Sequence, residues 1–305
     1  MGRREDGAGR TSPSETRAAQ LSLVRDQAGR RRLVDVARQY DTDVFVTPAP
    51  IGLRLANTLD RLALDAAADF ESLLLSPLAP LGASSVMAPG SQDRVVSTTR
   101  ATEVVSDPTN VLALECARRL GTGAAVGPAV DVRLATVQQT VRAQPLPAGG
   151  RTSHSRHFRM FALAESGRGR PDDGFEADAV ARQLAAHDRL LDACANELPV
   201  EVGRRRAIVR AAPGAETLGA RVRDRIIETM PHVEVVSEAL DSAYYDGLRV
   251  GFGAFDASGG FVEIADLGRF DWVARLRSDH RLRFVASGFG LQLVPLLFGA
   301  PGASS

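Results

Sequence analysis

Beyond Tyr244 the chain is cut by glycines into short runs of β-forming residues, at 247–255, 260–264 and 283–287. Two more strands read at 136–144 and 157–164, joined by a loop over 145–156 whose Pro-Leu-Pro-Ala-Gly-Gly stretch marks a hairpin connection longer than a tight turn. Strands that come in runs, rather than in strict alternation with helices, favour an antiparallel sheet and the α+β class. Chain length allows such a sheet to be well covered, because 305 residues with 44% hydrophobic content exclude a wholly disordered protein.

The helices follow from apolar spacing. Leu21, Leu23, Val24, Leu33, Val34, Val36 and Ala37 read as one amphipathic helix from Ala18 to Tyr40, after a mobile tail over 1–17. A β-branched run, Val44-Phe45-Val46-Thr47, reads as a strand that Pro48 ends. A helix over 53–67, a Pro/Gly/Ser loop over 76–91 and a strand over 94–105 come next. Asp107-Pro108-Thr109 then caps a helix through Leu114, Cys116 and Leu120. A charged linker over 167–174 leads to a helix at 177–198, a strand at 204–210, a helix at 217–230 and a strand at 233–236. That middle part, 171–235, reads as a small α/β insertion into a core made of 18–170 and 236–305. A last helix over 291–298 closes the chain.

Composition restricts the chemistry. The sequence has no lysine, so all 37 basic residues are arginine, and lysine Schiff bases and the lysine of a phosphate-binding P-loop are excluded. They balance 37 acidic residues, which removes any general attraction to nucleic acid or an anionic membrane. Cys116 and Cys194 are far apart without metal-ligand spacing, and no run is apolar enough to span a bilayer. A cytoplasmic, reducing location is the expectation.

Three segments in chain order resemble the signature regions of the class II aminoacyl-tRNA synthetase core. The first helix with Val44-Phe45-Val46-Thr47-Pro48 resembles motif 1, which implies a homodimer through that helix and strand. Thr140-Val141-Arg142-Ala143-Gln144, the loop and His157-Phe158-Arg159-Met160-Phe161 resemble motif 2, and Gly288-Phe289-Gly290-Leu291-Gln292-Leu293 resembles motif 3. Within the superfamily the histidyl branch is the most similar. Asp107-Pro108-Thr109 stands for its acidic-x-Thr element, Tyr244-Tyr245-Asp246-Gly247 for the segment that opens its amino-acid pocket, and Asp266-Leu267-Gly268-Arg269-Phe270-Asp271 for its Gly-Gly-Arg-Tyr-Asp turn.

The resemblance implies a ligand site made of Asp107, Thr109, Arg142, Gln144, His157, Phe161, Tyr244, Tyr245, Arg269, Gly288 and Gly290. Arg142 suits negative charge on a phosphate, because a guanidinium is always charged and forked. Phe161 would cover an adenine face, and Asp107 with Thr109 would hold an amino group. Taken singly, Arg142 reads as a strand-edge residue, Phe161 as core and Asp107 as a helix cap. The histidine-bearing loop with Arg151, Arg156, Arg159, Arg168 and Arg170 reads either as a phosphate-binding loop or as a solvated hairpin tip. His187, His232 and His280 read as surface or capping residues, Arg204-Arg205-Arg206 as a solvated turn, and Gly259-Gly260 as a hairpin turn.

The departures from the pattern are chemical. Leu293 stands where motif 3 carries an arginine, Gln144 replaces the acidic residue of motif 2, and Leu240-Asp241-Ser242 replaces the arginine ahead of the paired tyrosines. Losing one charge-assisted contact to a transition state costs about 3 kcal/mol, so these losses argue against adenylation. The sequence also stops after the motif 3 helix, which argues against tRNA charging. These features resemble the regulatory subunit of ATP phosphoribosyltransferase, implying an amino-acid-sensing partner of a catalytic subunit in histidine biosynthesis, with no certain cofactor. The alternative is a ligase that uses ATP, with Mg2+, to activate an amino or carboxylic acid for a non-tRNA acceptor. Arg249 or Arg269 reaching the space left by Leu293 would favour the ligase.

Overall fold

The computed structural model describes residues 12–121, 131–143 and 156–299. Their helices are α1 (Pro13–Gly29), α2 (Leu33–Thr42), α3 (Leu53–Ala66), α4 (Pro108–Gly121), α5 (Gly174–Glu197), α6 (Glu216–Thr229), α7 (Trp272–Arg277) and α8 (Leu293–Phe298). The strands are β1 (Glu71–Ser72), β2 (Leu78–Pro80), β3 (Thr102–Val104), β4 (Val132–Val141), β5 (His157–Arg168), β6 (Arg205–Ala211), β7 (Glu234–Ala239), β8 (Leu248–Phe255), β9 (Phe261–Phe270) and β10 (Leu282–Gly290). Eight of them form one sheet in the order β1-β4-β5-β10-β9-β8-β6-β7. Its central pairs are antiparallel, and only the outer pairs β1–β4 and β6–β7 are parallel. The α+β class and the antiparallel sheet flanked by helices are therefore observed.

Period-two alternation along the strands divides the side chains between two faces. On one face Phe161, Leu163, Val285, Phe289, Phe252 and Val250 are buried under α3, α5 and α6. α5 is apolar around most of its circumference because it lies between the sheet and both neighbouring helices. On the other face Leu134, Ala162, Ala164, Phe284 and Ala286 meet Leu112, Cys116 and Trp272 of α4 and α7. Those two helices pack chiefly on β4, β5 and β10, and Trp272 of α7 also stacks on Phe270 of β9 at 4.1 Å. The part of this face beside those helices is the candidate cleft.

Several expectations are corrected. The first helix starts inside the expected tail, because Ser12 and Glu15 form a reciprocal capping box with Pro13 in the first turn. It breaks into α1 and α2 after Gly29. Asp43–Pro48 is not a strand. The Asp43 carboxylate accepts from the Phe45 N–H (3.0 Å), and the Asp43 carbonyl accepts from Val46 and Thr47, so local turn bonds replace a ladder. The expected strand at 94–105 shrinks to β3, and α7, β1 and β2 lie where no element was expected.

The 171–235 stretch extends the sheet: β6 pairs with β8, and α5 is a central core helix. His187 lies on the buried face of α5, with Nε2 2.9 Å from Ser287 Oγ, and burial lowers its pKa to about 3. Arg205 is buried in β6 and pairs with Asp188 at 3.0 Å rather than lying in a turn. Gly259, at φ +79°, makes the β8–β9 turn. Both cysteines are free and buried, in opposite cores.

Candidate functional site

The cleft face is set by register. Ala162 of β5, Gly288 of β10, Asp266 of β9 and Gly251 of β8 are consecutive cross-strand partners, so all four point to the same side as Arg142. At the α4 end Asp107 accepts from the Thr109 N–H (3.0 Å) and hydroxyl (2.7 Å), which makes it a helix cap. The same carboxylate lies 3.7 Å from a terminal nitrogen of Arg142. Arg142 also donates Nε to the Ser106 carbonyl at 3.1 Å and lies over the Phe158 ring at 5.2 Å. Tyr244 is packed edge-on to Trp272 and Tyr245. Burial, with the Asp107 charge close by, pushes its hydroxyl well above the ordinary tyrosine range. One helical turn beyond Asp107, buried Asn110 keeps its side-chain oxygen without a partner among the described residues.

Further along the same face runs a ladder of alternating charge. Arg210 donates to Glu238 (2.8 Å) and Glu263 (3.2 Å), and Arg249 donates to Glu263 (2.5 Å) and Asp266 (2.9 Å). Asp266 also accepts from the Tyr245 hydroxyl at 2.5 Å. Burial raises the pKa of Asp266, and the Tyr245 and Arg249 donors only partly offset that rise.

The glycine floor is covered from within. A Cβ built on Gly251 would lie 2.4 Å from the Glu263 carboxylate, one on Gly268 2.3 Å from the Tyr245 ring, and one on Gly290 2.8 Å from Leu293. Met160 lies in the same way over Gly288, at 3.2 Å. These glycines make room for the protein's own side chains.

The expected site residues are thus divided. Asp107, Thr109, Arg142, Tyr244, Tyr245, Gly288 and Gly290 share the cleft face. Phe161 faces the other way, fully buried and edge-on to His187 at 5.6 Å, so its ring cannot cover a ligand in the cleft. Arg269 also belongs to the opposite face, held by Asp246 (3.1 Å) and near Glu176 of α5 (3.7 Å). His157 bonds the Thr47 carbonyl (2.7 Å) and Gln139 (3.0 Å), away from the cleft. Gln144, Arg151 and His154 lie outside the described residues. Sequence reading missed Met160, Glu263 and Asp266 on this face, and no motif marks them; only the strand register does.

The fold is that of the class II aminoacyl-tRNA synthetases. A Bacillus halodurans ATP phosphoribosyltransferase regulatory subunit/histidyl-tRNA synthetase superposes with a TM-score of 0.59 at 10% identity, covering 83% of each chain. A histidine–tRNA ligase subunit from Alicyclobacillus acidocaldarius gives 0.56 at 13% identity, covering 81% of this chain and 94% of that one. The S. aureus histidyl-tRNA synthetase gives 0.56 at 10% identity over 79% of this chain, which spans 64% of that enzyme. No protein-family model and no curated protein matches the sequence.

This fold implies ATP, and the described side chains of the cleft do not fit a triphosphate. Arg142, Arg210 and Arg249 each already lie against a carboxylate of the same chain. At the end of β10 Leu293 lies on Gly290, and buried Gln292 accepts from the Arg159 N–H at 2.7 Å. Among the described residues no three His, Cys, Asp or Glu side chains converge to hold a metal ion, and no helix is long and apolar enough to cross a membrane.

Proposed function

We propose that this chain is a histidyl-tRNA-synthetase-like paralogue that binds an amino acid without charging tRNA and serves as a regulatory subunit. Its implied partner is a catalytic ATP phosphoribosyltransferase, which places the reading in histidine biosynthesis. The observation that carries it is the pairing of Arg142, Arg210 and Arg249 with Asp107, Glu238, Glu263 and Asp266. A triphosphate would have to displace those carboxylates and leave them beside its own negative charge. A zwitterionic amino acid meets no such barrier. Its ammonium finds Asp107, and its carboxylate finds Arg142.

The ligand biases the assembly by its differential affinity for two arrangements of the complex, with no covalent step. The ligase alternative gains nothing from Arg249, which is tied to Glu263 and Asp266, or from Arg269, which lies across the sheet. Calorimetric titration with histidine, and with the other proteinogenic amino acids in parallel, tests the reading. The expected result is saturable binding that is weakened in Asp107→Asn. No saturable binding of any amino acid would refute it.

A further inference from the structure

The sheet face turned away from the cleft carries a polar row inside an apolar core. Glu165 of β5, Gln183 and His187 of α5, and Ser287 of β10 are each 1% exposed or less. Strand register lays the row out, with Glu165 opposite Val285 and Leu163 opposite Ser287. Gln183 and His187 stand one helical turn apart and meet these two rungs in the same order. Gln183 Nε2 donates to the Val285 carbonyl at 3.1 Å, and His187 Nε2 lies 2.9 Å from Ser287 Oγ. Phe161 and Phe289 flank the imidazole and close that end of the row.

Three atoms of the row have no hydrogen-bond partner among the described residues: Glu165 Oε1, Gln183 Oε1 and His187 Nδ1. A buried acceptor left in that state is destabilising. The Gln183 amide cannot cure it by turning over, because Oε1 would then meet the Val285 carbonyl oxygen. Arg182 at 3.1 Å and Arg133 at 3.4 Å both reach Glu165 through Oε2, so Oε1 gains nothing from them. The other ionisable groups on the surrounding elements are already committed. Glu176 of α5 is paired with Arg283 of β10 at 2.9 Å, and Cys116 of α4, across the sheet, is held protonated by burial. The Gln183 side chain is close enough to bear on the Glu165 charge. Two neighbouring acceptor oxygens in a dry core therefore lack one proton between them.

We propose that Glu165 holds this proton on Oε1 and donates it to Gln183 Oε1, so that one hydrogen bond, present only in the protonated acid, locks α5 onto the β5–β10 pair. When the proton leaves, the two oxygens repel. Gln183 then turns Nε2 toward the carboxylate, and the Val285 carbonyl loses its donor. Two arrangements of one amide form a two-state element that pH biases. The same two strands carry Met160 and Gly288 on their other face, so release loosens the cleft floor from beneath. With the Glu165 pKa raised to about 7, the released fraction grows about tenfold between pH 6 and pH 8. His187, whose pKa lies at about 3, does not titrate in that window. The lock does not depend on an amino acid binding in the cleft, and the two readings fail separately.

Difference infrared spectroscopy on the full chain against pH, together with hydrogen–deuterium exchange, tests it. The wild-type protein is expected to show a protonated-carboxyl band that fades between pH 6 and pH 8 and is missing from Glu165→Gln at every pH. Gln183→Leu removes the acceptor and keeps the acid, so its band is expected at higher frequency. Exchange in peptides that cover α5 and β10, corrected for the intrinsic effect of pH, is expected to quicken about tenfold from pH 6 to pH 8 in wild type. It is expected to stay constant in Glu165→Gln, whose amide donates to Gln183 Oε1 throughout. The absence of a Glu165-dependent band at pH 6, a band that Gln183→Leu leaves unmoved, or the same pH dependence of exchange in wild type and Glu165→Gln would overturn the proposal.

Discussion

Glu165 gives the structure a pH dependence that one substitution isolates. Its carboxyl is 1% exposed under α5, with Arg182 at 3.1 Å and Arg133 at 3.4 Å, and its second oxygen accepts no hydrogen bond among the described residues. Burial outweighs the two guanidinium charges and raises its pKa from 4.5 to about 7. Between those values the folded protein keeps a proton that the unfolded chain has released. The contribution of Glu165 to stability is therefore complete below pH 4.5, falls as pH rises to about 7 and is flat above it. The raised pKa corresponds to about 3 kcal/mol across that window. His187 acts in the opposite sense, since its lowered pKa removes stability as pH falls below 6.5, so the wild-type curve alone hides both groups. Glu165→Gln keeps His187 and removes only the carboxyl titration. Urea unfolding of both proteins from pH 4.5 to 8 should show the variant gaining about 3 kcal/mol relative to wild type as pH rises. Two parallel curves would refute the buried, protonated state of Glu165.

Three further results follow from the cleft. Phe161→Ala should cost about 3–5 kcal/mol of stability, while Phe161→Leu leaves amino-acid affinity unchanged; loss of affinity in Phe161→Leu would return the ring to the ligand. Asp107→Asn keeps an oxygen to cap α4, so its thermal midpoint should stay near wild type while histidine affinity falls about tenfold or more, read by calorimetry. Glu263→Gln removes the carboxylate shared by Arg210 and Arg249 and should create measurable pyrophosphate affinity that the wild-type chain lacks. Equal affinity in the two proteins would show that the ladder does not govern anion binding.

Much of the fold was legible because it is written in local signals. The β4–β5 hairpin, the Asp107 cap and the glycine-divided strands after Tyr244 all depend on residues near one another in sequence. Elements that depend on distant partners were not. The Val44–Thr47 run has strand-forming residues, yet Asp43 closes it into turns where no neighbouring strand competes. α7 is a six-residue helix whose Trp272 and Val273 are buried against the α4 core. Placement on this face was legible at Asp107, Arg142 and Tyr245, which the fold brings to one side of the sheet. It was not legible where one residue of register decides the outcome: Phe161 and Met160 are adjacent, and only Met160 reaches the cleft. The charge ladder joins strands far apart in sequence, from Arg210 to Asp266, and no single segment displays it.

The account stands on the claim that a synthetase-shaped cleft here recognises an amino acid without activating it. ATP–pyrophosphate exchange, run on the full chain with each proteinogenic amino acid, measures that activation directly. The account predicts exchange no greater than in the absence of amino acid, for histidine as for the rest. Exchange that rises with any one of them would mean that Arg142 and Arg249 leave their carboxylates for a triphosphate, and the claim would be contradicted.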